Sequence, residues 1–435
     1  MHGNRKVRAG VLRHSVVVGT ALTDVTVAVA RYAQRLHRAA GECHHVASPL
    51  GAWLLLALCG PASSGAARAE LAQVLGFDVE QAAAVASGLL RAPHRLVAAA
   101  AGVWRREEVA TEALSRWLAS LPGMVDTGTL TDQEALDDWA RRNTLGLIEK
   151  FPLELADETL LVLATALATK ISWAEPFDVA PASALGPHSA WADTLSRVLR
   201  TPEQGRGHTQ FITAADPAGD VVVHTAWARD GLLVTSVAAQ PGVPAADVLA
   251  AAYRLASAIA TGGPVARRSL FTLPLGAAPL WEITEQQVQT TSPDRREERC
   301  TAVLPAWSAD STHDLSEHPS LGFGAAAATL AALTGLDRFA YQAQQAAVAR
   351  YSRTGFEAAA VTGVAVARSA PITRPGLMRS AELRFGQPYA VVAVTADQDH
   401  HAGRHTPEPG PWRGLPVFSA WITQPEDADD PASPV

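Results

Sequence analysis

Cysteine is scarce in this chain: 435 residues carry only Cys43, Cys59 and Cys300, widely spaced. That excludes a disulfide framework and any short-spaced cysteine motif for metal or redox chemistry. It fits a reducing compartment, or a fold that needs no staples. Positive charge is not concentrated either. The formal net charge is -7 and no long run of Lys or Arg occurs, so nucleic acid is not an expected partner. Long apolar runs are missing. The most apolar stretch, Trp53 to Cys59, falls far short of the roughly 20 residues a membrane helix needs, so no membrane partner is expected. The basic start, Arg5, Lys6, Arg8 and Arg13, leads into Val16–Val18, which Gly19, Thr20 and Asp24 interrupt. A secretory signal wants a clean apolar run of roughly 7–15 residues, so none is expected. A cytoplasmic location is favoured, with an extracellular one as the alternative.

Recognisable cofactor chemistry is also lacking. There is no Walker A loop, no HExxH and no GxSxG elbow, and Gly322-Phe323-Gly324 lacks the third glycine of a dinucleotide loop. No cofactor and no catalytic residue is assigned. His400, His401 and His405 lie near Asp397 and Asp399 in one polar segment. Such groups can hold Zn²⁺, but a solvated turn explains them better and no metal site is assigned. His44-His45 reads as a helix-end pair with no nearby partners.

What the chain does have is 48% hydrophobic and 18% charged residues, enough for a large core. Residues 1–24 read as an irregular basic leader, 25–425 as one domain, and 426–435 as an acidic, Pro-rich tail. Val25, Ala28, Val29, Tyr32 and Leu36 recur at helical spacing, with Gly41 as a stop. Ala52 to Cys59 is apolar all round and reads as core. Ser63 or Ser64 caps a helix with the face Ala67, Leu71 and Leu75, closed by Gly76. Leu136, Trp139, Ala140, Asn143 and Leu147 share another helical face, and Ala325 to Leu333 is helical as well. Leu96–Val103 and Leu160–Leu167 suit buried strands. Leu232–Val237 and Cys300–Trp307 read as further strands. The interleaving lacks regular βαβ alternation, which predicts an α+β fold with large mixed sheets. Late in the chain, Glu357 to Ala367 is small, uncharged after Glu357 and strand-compatible. Arg368 to Arg384, with Pro371, Pro375, Gly376 and four arginines, continues it as a long loop, a length usually tied to function.

Several segments, in order, resemble the serpin family. They are Ser48-Pro49-Leu50 and its apolar helix, Ala69–Gly76, Leu145–Pro152, and Leu160–Asp178 with Trp173, Pro176 and Phe177. Gly355–Thr362, Phe385–Tyr389 and Pro416–Pro425 follow. Residues from about 180 to 300 match poorly. The resemblance implies a single serpin-like domain with a large central sheet, surrounding helices and an exposed reactive-centre loop. It also implies a monomeric inhibitor rather than an enzyme, acting as a suicide substrate. A serine protease attacks the loop and forms an acyl-enzyme. The cleaved loop then inserts as a strand into the central sheet of a metastable fold.

Under that resemblance Gly355, Phe356, Glu357, Ala358, Ala359, Ala360, Val361 and Thr362 form the hinge. The usual reactive bond, counted from Gly355, falls at Ser369. Arg368–Ser369 is preferred, since Arg368 suits a trypsin-like protease, and Ser369–Ala370 is second. Arg374 and Arg379 are poorer candidates. Ser48, Gly51, Thr165 and Gln345 occupy the family's shutter, where the sheet opens. The last three are departures from the family pattern, and so are Phe356 in the hinge and Arg353 before it. Lost hydrogen bonds at the shutter would change how the sheet opens. A non-inhibitory serpin that binds or scaffolds is the second expectation. A metal-dependent enzyme or binder using residues 397–405 is the third.

Overall fold

The computed structural model describes residues 25–203, 207–229, 231–335, 339–355, 374–396 and 410–429. Helix α1 (25–40) buries Val25, Val29, Tyr32 and Leu36 and stops at Gly41, which is left-handed. Strand β1 (His45–Ala47) leads into α2 (Pro49–Cys59), α3 (Gly65–Leu75) and α4 (Val79–Arg91). Then come β2 (Ala98–Arg105), α5 (Glu112–Ser120), β3 (Asp126–Thr129), α6 (Gln133–Asn143) and β4 (Leu161–Ala168). The part of the chain with little sequence periodicity forms β5 (Asp178–Pro181), β6 (Arg197–Arg200), β7 (His208–Ala214) and β8 (Asp220–Trp227). It continues as β9 (Leu232–Ala238), α7 (Ala245–Thr261), β10 (Gly276–Ala277), β11 (Trp281–Thr290) and β12 (Arg296–Leu304). The rest is β13 (Trp307–Asp314), α8 (Phe323–Thr334), β14 (Gln344–Tyr351), β15 (Arg374–Arg384), β16 (Tyr389–Thr395) and β17 (Pro416–Ile422). The fold is mixed α+β, as the interleaved pattern predicts.

Local chemistry explains most of these boundaries. The Ser48 hydroxyl caps α2, and all of α2 except Leu55 is buried, so its uniform hydropathy marks a core helix. Gly76 ends α3 in the left-handed region. Asp132 caps α6 through Ala135 N–H. That helix stops at Asn143, because Leu145 and Gly146 both take positive φ (56° and 75°); Leu147 is therefore not on its face. Cys300–Trp307 is two strands rather than one. The chain breaks at Pro305-Ala306, leaving β12 and β13 in different sheets, since Pro cannot donate to a ladder.

One sheet has the order β1-β17-β16-β9-β8-β7 and a second β10-β11-β15-β12-β6-β5. In the second, β15 runs antiparallel to β11 and parallel to β12. Arg368–Arg384 is therefore not one long loop: from Arg374 onward it is a strand with both edges paired. Its arginines disguise it in sequence. Arg379 bonds Glu285 and the Leu270 and Leu273 carbonyls, and Arg384 pairs with Glu282. The undescribed segment after Gly355 is only 356–373.

Three strands, β3-β2-β4, form a third sheet, and β13-β14 a separate ribbon. Alanine dominates here: Ala98–Ala101 on β2, Ala164, Ala166 and Ala168 on β4, Ala346, Ala347 and Ala349 on β14. The main core joins α1–α5, α8 and all the sheets, while α7 covers the outer face of the first sheet and α6 packs on β4. Residues 426–428 stay on the body. Glu426 N–H bonds the Ala306 carbonyl, Asp427 accepts from the Ser196 and Arg197 amides, and Ala428 is buried.

Candidate functional site

The site begins with a missing ladder. Among the described residues β4 pairs only with β2, and β14 only with β13. The two free edges border a common gap. Its upper part, about 110 Å³, is lined by Thr165–Ala168 of β4, by Thr169 just beyond it, and by Gln345–Ala349 of β14. Trp139 and Ala140 of α6 and Gly51 and Leu55 of α2 also face it. The lower part, about 790 Å³, lies between Leu160–Leu163, α8 and Phe339–Gln344. Burial follows from this: β4 reads as uniformly apolar, yet Leu161, Leu163 and Thr165 are only half-buried. A strand needs about 4.8 Å from each neighbour, and a short apolar strand suits such walls.

The upper end of the gap is clipped shut by Gly355. Its φ is +115°, and a Cβ would lie 2.4 Å from the Ile171 carbonyl oxygen and 2.8 Å from Ser172 Cα. Only glycine permits that backbone and that approach. Gly355 bridges Ser172, and Trp173 N–H bonds the Thr354 carbonyl at 3.1 Å. Phe177 N–H bonds the Arg353 carbonyl at 2.9 Å, and Trp173 Nε1–H bonds that of Ser352 at 2.9 Å. Ser352 Oγ bonds the Gly355 carbonyl. The W-x-x-P-F residues singled out in sequence thus hold the root of the loop. Beneath them Phe177 contacts His208, His224 and Tyr351, with centroids 4.5, 5.4 and 5.8 Å away.

His208 donates from Nε2 to the Glu175 carbonyl (2.9 Å), so its Nδ1 accepts from His224 Nε2–H (3.1 Å). Burial, first of all, pushes both imidazoles below their ordinary range, His208 to about 4. The sequence offered no sign of this pair; the register that joins β7 to β8 creates it.

The four shutter positions come together lower in the gap. Ser48 N–H donates to Gln345 Oε1 and Gln345 Nε2–H donates to the Ser48 carbonyl, both at 2.9 Å. Ser48 Oγ–H bonds the Val417 carbonyl at 2.9 Å and accepts from Gly51 N–H at 3.4 Å. Thr165 Oγ1–H closes the set on the Gly51 carbonyl at 2.7 Å. The expected loss of shutter bonds is corrected. The residues present make a network joining β14, α2, β17 and β4. Glutamine reaches both backbone polar groups of one residue, Ser48, and threonine bonds the carbonyl of Gly51.

Phe356–Thr362, Arg368, Ser369 and the 397–405 histidines lie outside the described residues. Arg353 holds Phe177 through its carbonyl only. The expectation that His44-His45 lacks partners is also corrected: His44 bonds the Ser308 carbonyl and two backbone amides, and His45 is buried in contact with His37. Among the described residues no three His, Cys, Asp or Glu side chains group to hold a metal.

Residues 25–184 match the sequence model of the family Serpin (serine protease inhibitor). No curated protein matches the chain by sequence. Its fold is similar to that of Serpin48, a highly specific serpin of the insect Tenebrio molitor. Identity is 16%, over 92% of this chain and 98% of that one, with a TM-score of 0.57. It is similar also to human thyroxine-binding globulin in complex with its hormone: 14% identity, 94% and 100% coverage, TM-score 0.58. The native thermophilic serpin Tengpin matches at 12% identity, 93% and 94% coverage, TM-score 0.56. The chain has the serpin fold and carries the serpin sequence pattern over residues 25–184.

Proposed function

We propose that the chain inhibits a serine protease as a suicide substrate: acylation in the loop is followed by insertion of the loop into the central sheet. The observation that carries this reading is the open position between β4 and β14. Among the described residues both strands offer an unpaired edge across an apolar gap, and the chain runs on from β14 to Gly355, at the mouth of that gap. By sequence, the first half of the following segment, Glu357–Val366, is small, strand-compatible and uncharged after Glu357. A strand placed there would gain ladder bonds on both sides, and free strand edges are the usual acceptors for added strands. Arg368–Ser369 is the preferred reactive bond, and a trypsin-like protease the preferred target.

The test is incubation with a panel of trypsin-like proteases, read as an SDS-stable covalent complex. Arg368→Glu should abolish it. Cleavage at Arg368 without a complex, and without a rise in melting temperature afterwards, would remove the inhibitory reading. A second reading, a non-inhibitory serpin acting as a binding protein, is favoured by Phe356. A bulky ring at the start of an inserting strand opposes a closely packed sheet.

A further inference from the structure

Away from the gap, five side chains from five elements meet in the core: His37 (α1), His45 (β1), Tyr253 (α7), His313 (β13) and Ser419 (β17). His45 Nδ1 lies 2.8 Å from the Cys43 carbonyl. A carbonyl only accepts, so His45 carries its proton on Nδ1 and its Nε2 is an acceptor. His37 Nδ1, 2.7 Å away, must then donate to it. That leaves His37 Nε2 as an acceptor, filled by Ser419 Oγ–H at 2.6 Å. Ser419 in turn accepts from Tyr253 Oη–H, also at 2.6 Å. One carbonyl at the end therefore fixes every proton in the chain, from the Tyr253 phenol through Ser419 and His37 to His45. No imidazole lone pair in it is spare. A further proton on His37 or His45 must break one of these bonds and place a charge in the core.

The chain is joined to the gap. His313 Nε2–H holds the Val46 carbonyl at 2.7 Å, and its ring sits edge-on to His45, centroids 5.7 Å apart. Val46 N–H bonds Ser311 Oγ at 3.1 Å. These two bonds seat β13 on β1, and Ser48, two residues beyond Val46, is the residue that Gln345 of β14 grips.

The titratable groups facing the chain are of one kind. His37 comes from α1, His44 and His45 from β1 and the residue before it, and His313 from β13. Tyr253 comes from α7, and β17 brings none. Arg38 and Glu42, near the end of α1, and Asp310 and Asp314 on β13 are solvent-exposed. A proton that enters therefore meets further histidines and no buried counter-charge.

We propose that this tyrosine–serine–histidine–histidine chain, with His313 beside it, is an acid-sensitive latch whose protonation unseats the β13–β14 ribbon and opens the gap beside β4. Burial, then the neighbouring histidines, holds His37 far below its ordinary range; burial above all brings His45 to about 4. An imidazole of the unfolded chain binds its proton near pH 6.5, the latched His45 only near 4, and the latched His37 and His313 also below their ordinary range. The latch is therefore fully set above about pH 6.5 and released progressively as pH falls toward 4. The inference is independent of whether the loop traps a protease.

The test is amide hydrogen exchange on the full chain at pH 7.5 and pH 4.5, corrected for intrinsic rates. Protection of β13 and β14 amides should fall on the order of tenfold or more at pH 4.5, with β11 and β15, which carry no histidine, unchanged. His45→Gln should flatten the response. His313→Gln keeps a donor for the Val46 carbonyl and serves where the buried replacement fails to fold. Nitrogen-15 tautomer spectra of the unaltered protein at pH 7.5 should place protons on Nδ1 of both His37 and His45. Equal β13–β14 protection at the two pH values would overturn the proposal, and so would Nε2 protons on both rings or a His45 midpoint near 6.5.

Discussion

Replacing Gly355 by alanine tests the clip at the mouth of the gap. The new methyl would sit 2.4 Å from the Ile171 carbonyl oxygen, 2.8 Å from Ser172 Cα and 3.1 Å from Trp173 N, all backbone atoms that cannot rotate aside. The loop root must back off by roughly 1 Å, since a comfortable carbon–oxygen contact is near 3.5 Å. That withdrawal breaks the Trp173–Thr354 and Phe177–Arg353 backbone bonds, at about 1 kcal/mol net each. A φ of +115° adds about 1–2 kcal/mol for a residue with a Cβ. The sum, about 3 kcal/mol, is on the order of a hundredfold in the open population. Exchange of the Trp173 and Phe177 amides should accelerate by that factor, with a lower melting temperature. Gly123→Ala, where a Cβ meets nothing within 4 Å, is the control and should change neither. Unchanged protection of both amides in Gly355→Ala would refute the close-approach argument.

Gln345→Leu leaves the buried Ser48 amide and carbonyl without their partners and should cost about 2–3 kcal/mol in urea unfolding. Gln345→His, too short to bond both groups at once, should recover only part of it. Gly88→Ala lies inside α4 with open space around it; it should stabilise by about 0.5–1 kcal/mol, seen as a higher urea midpoint. The folded pKa of His208 is depressed to about 4, so its contribution is complete above pH 6.5 and lost as pH falls. About 2 kcal/mol should be gone by pH 5, and His208→Gln should remove that part of the slope in melts at pH 7.5 and 5.0.

Much of this was legible in the residues because local chemistry decided it. Gly41 and Gly76 end helices where the pattern placed them, and Trp173, Pro176 and Phe177 mark the seat of the loop root. Gly355 stands where the backbone of Ile171 and Ser172 leaves no room for a side chain. What escaped depended on pairings between distant segments. Arg379 and Arg384 made β15 look like loop, because their partners, Glu285 and Glu282, lie about a hundred positions earlier. Gln345 and Thr165 looked like losses because their substitutes bond the backbone, which a residue-by-residue comparison does not weigh. His37, His45 and Ser419 carry no motif; α1, β1 and β17 bring them together only once β1 pairs with β17.

The alanines of β2, β4 and β14 have a consequence of their own. Alanine is a poor strand former and buries little apolar surface, so these strands are held by what packs over them more than by their own side chains. A single added methyl group or two, as in Ala→Val along β4 or β14, would stiffen the walls by degrees. How firmly β4 and β14 are held is therefore a dial that natural variation, or a designer, can turn without touching the loop.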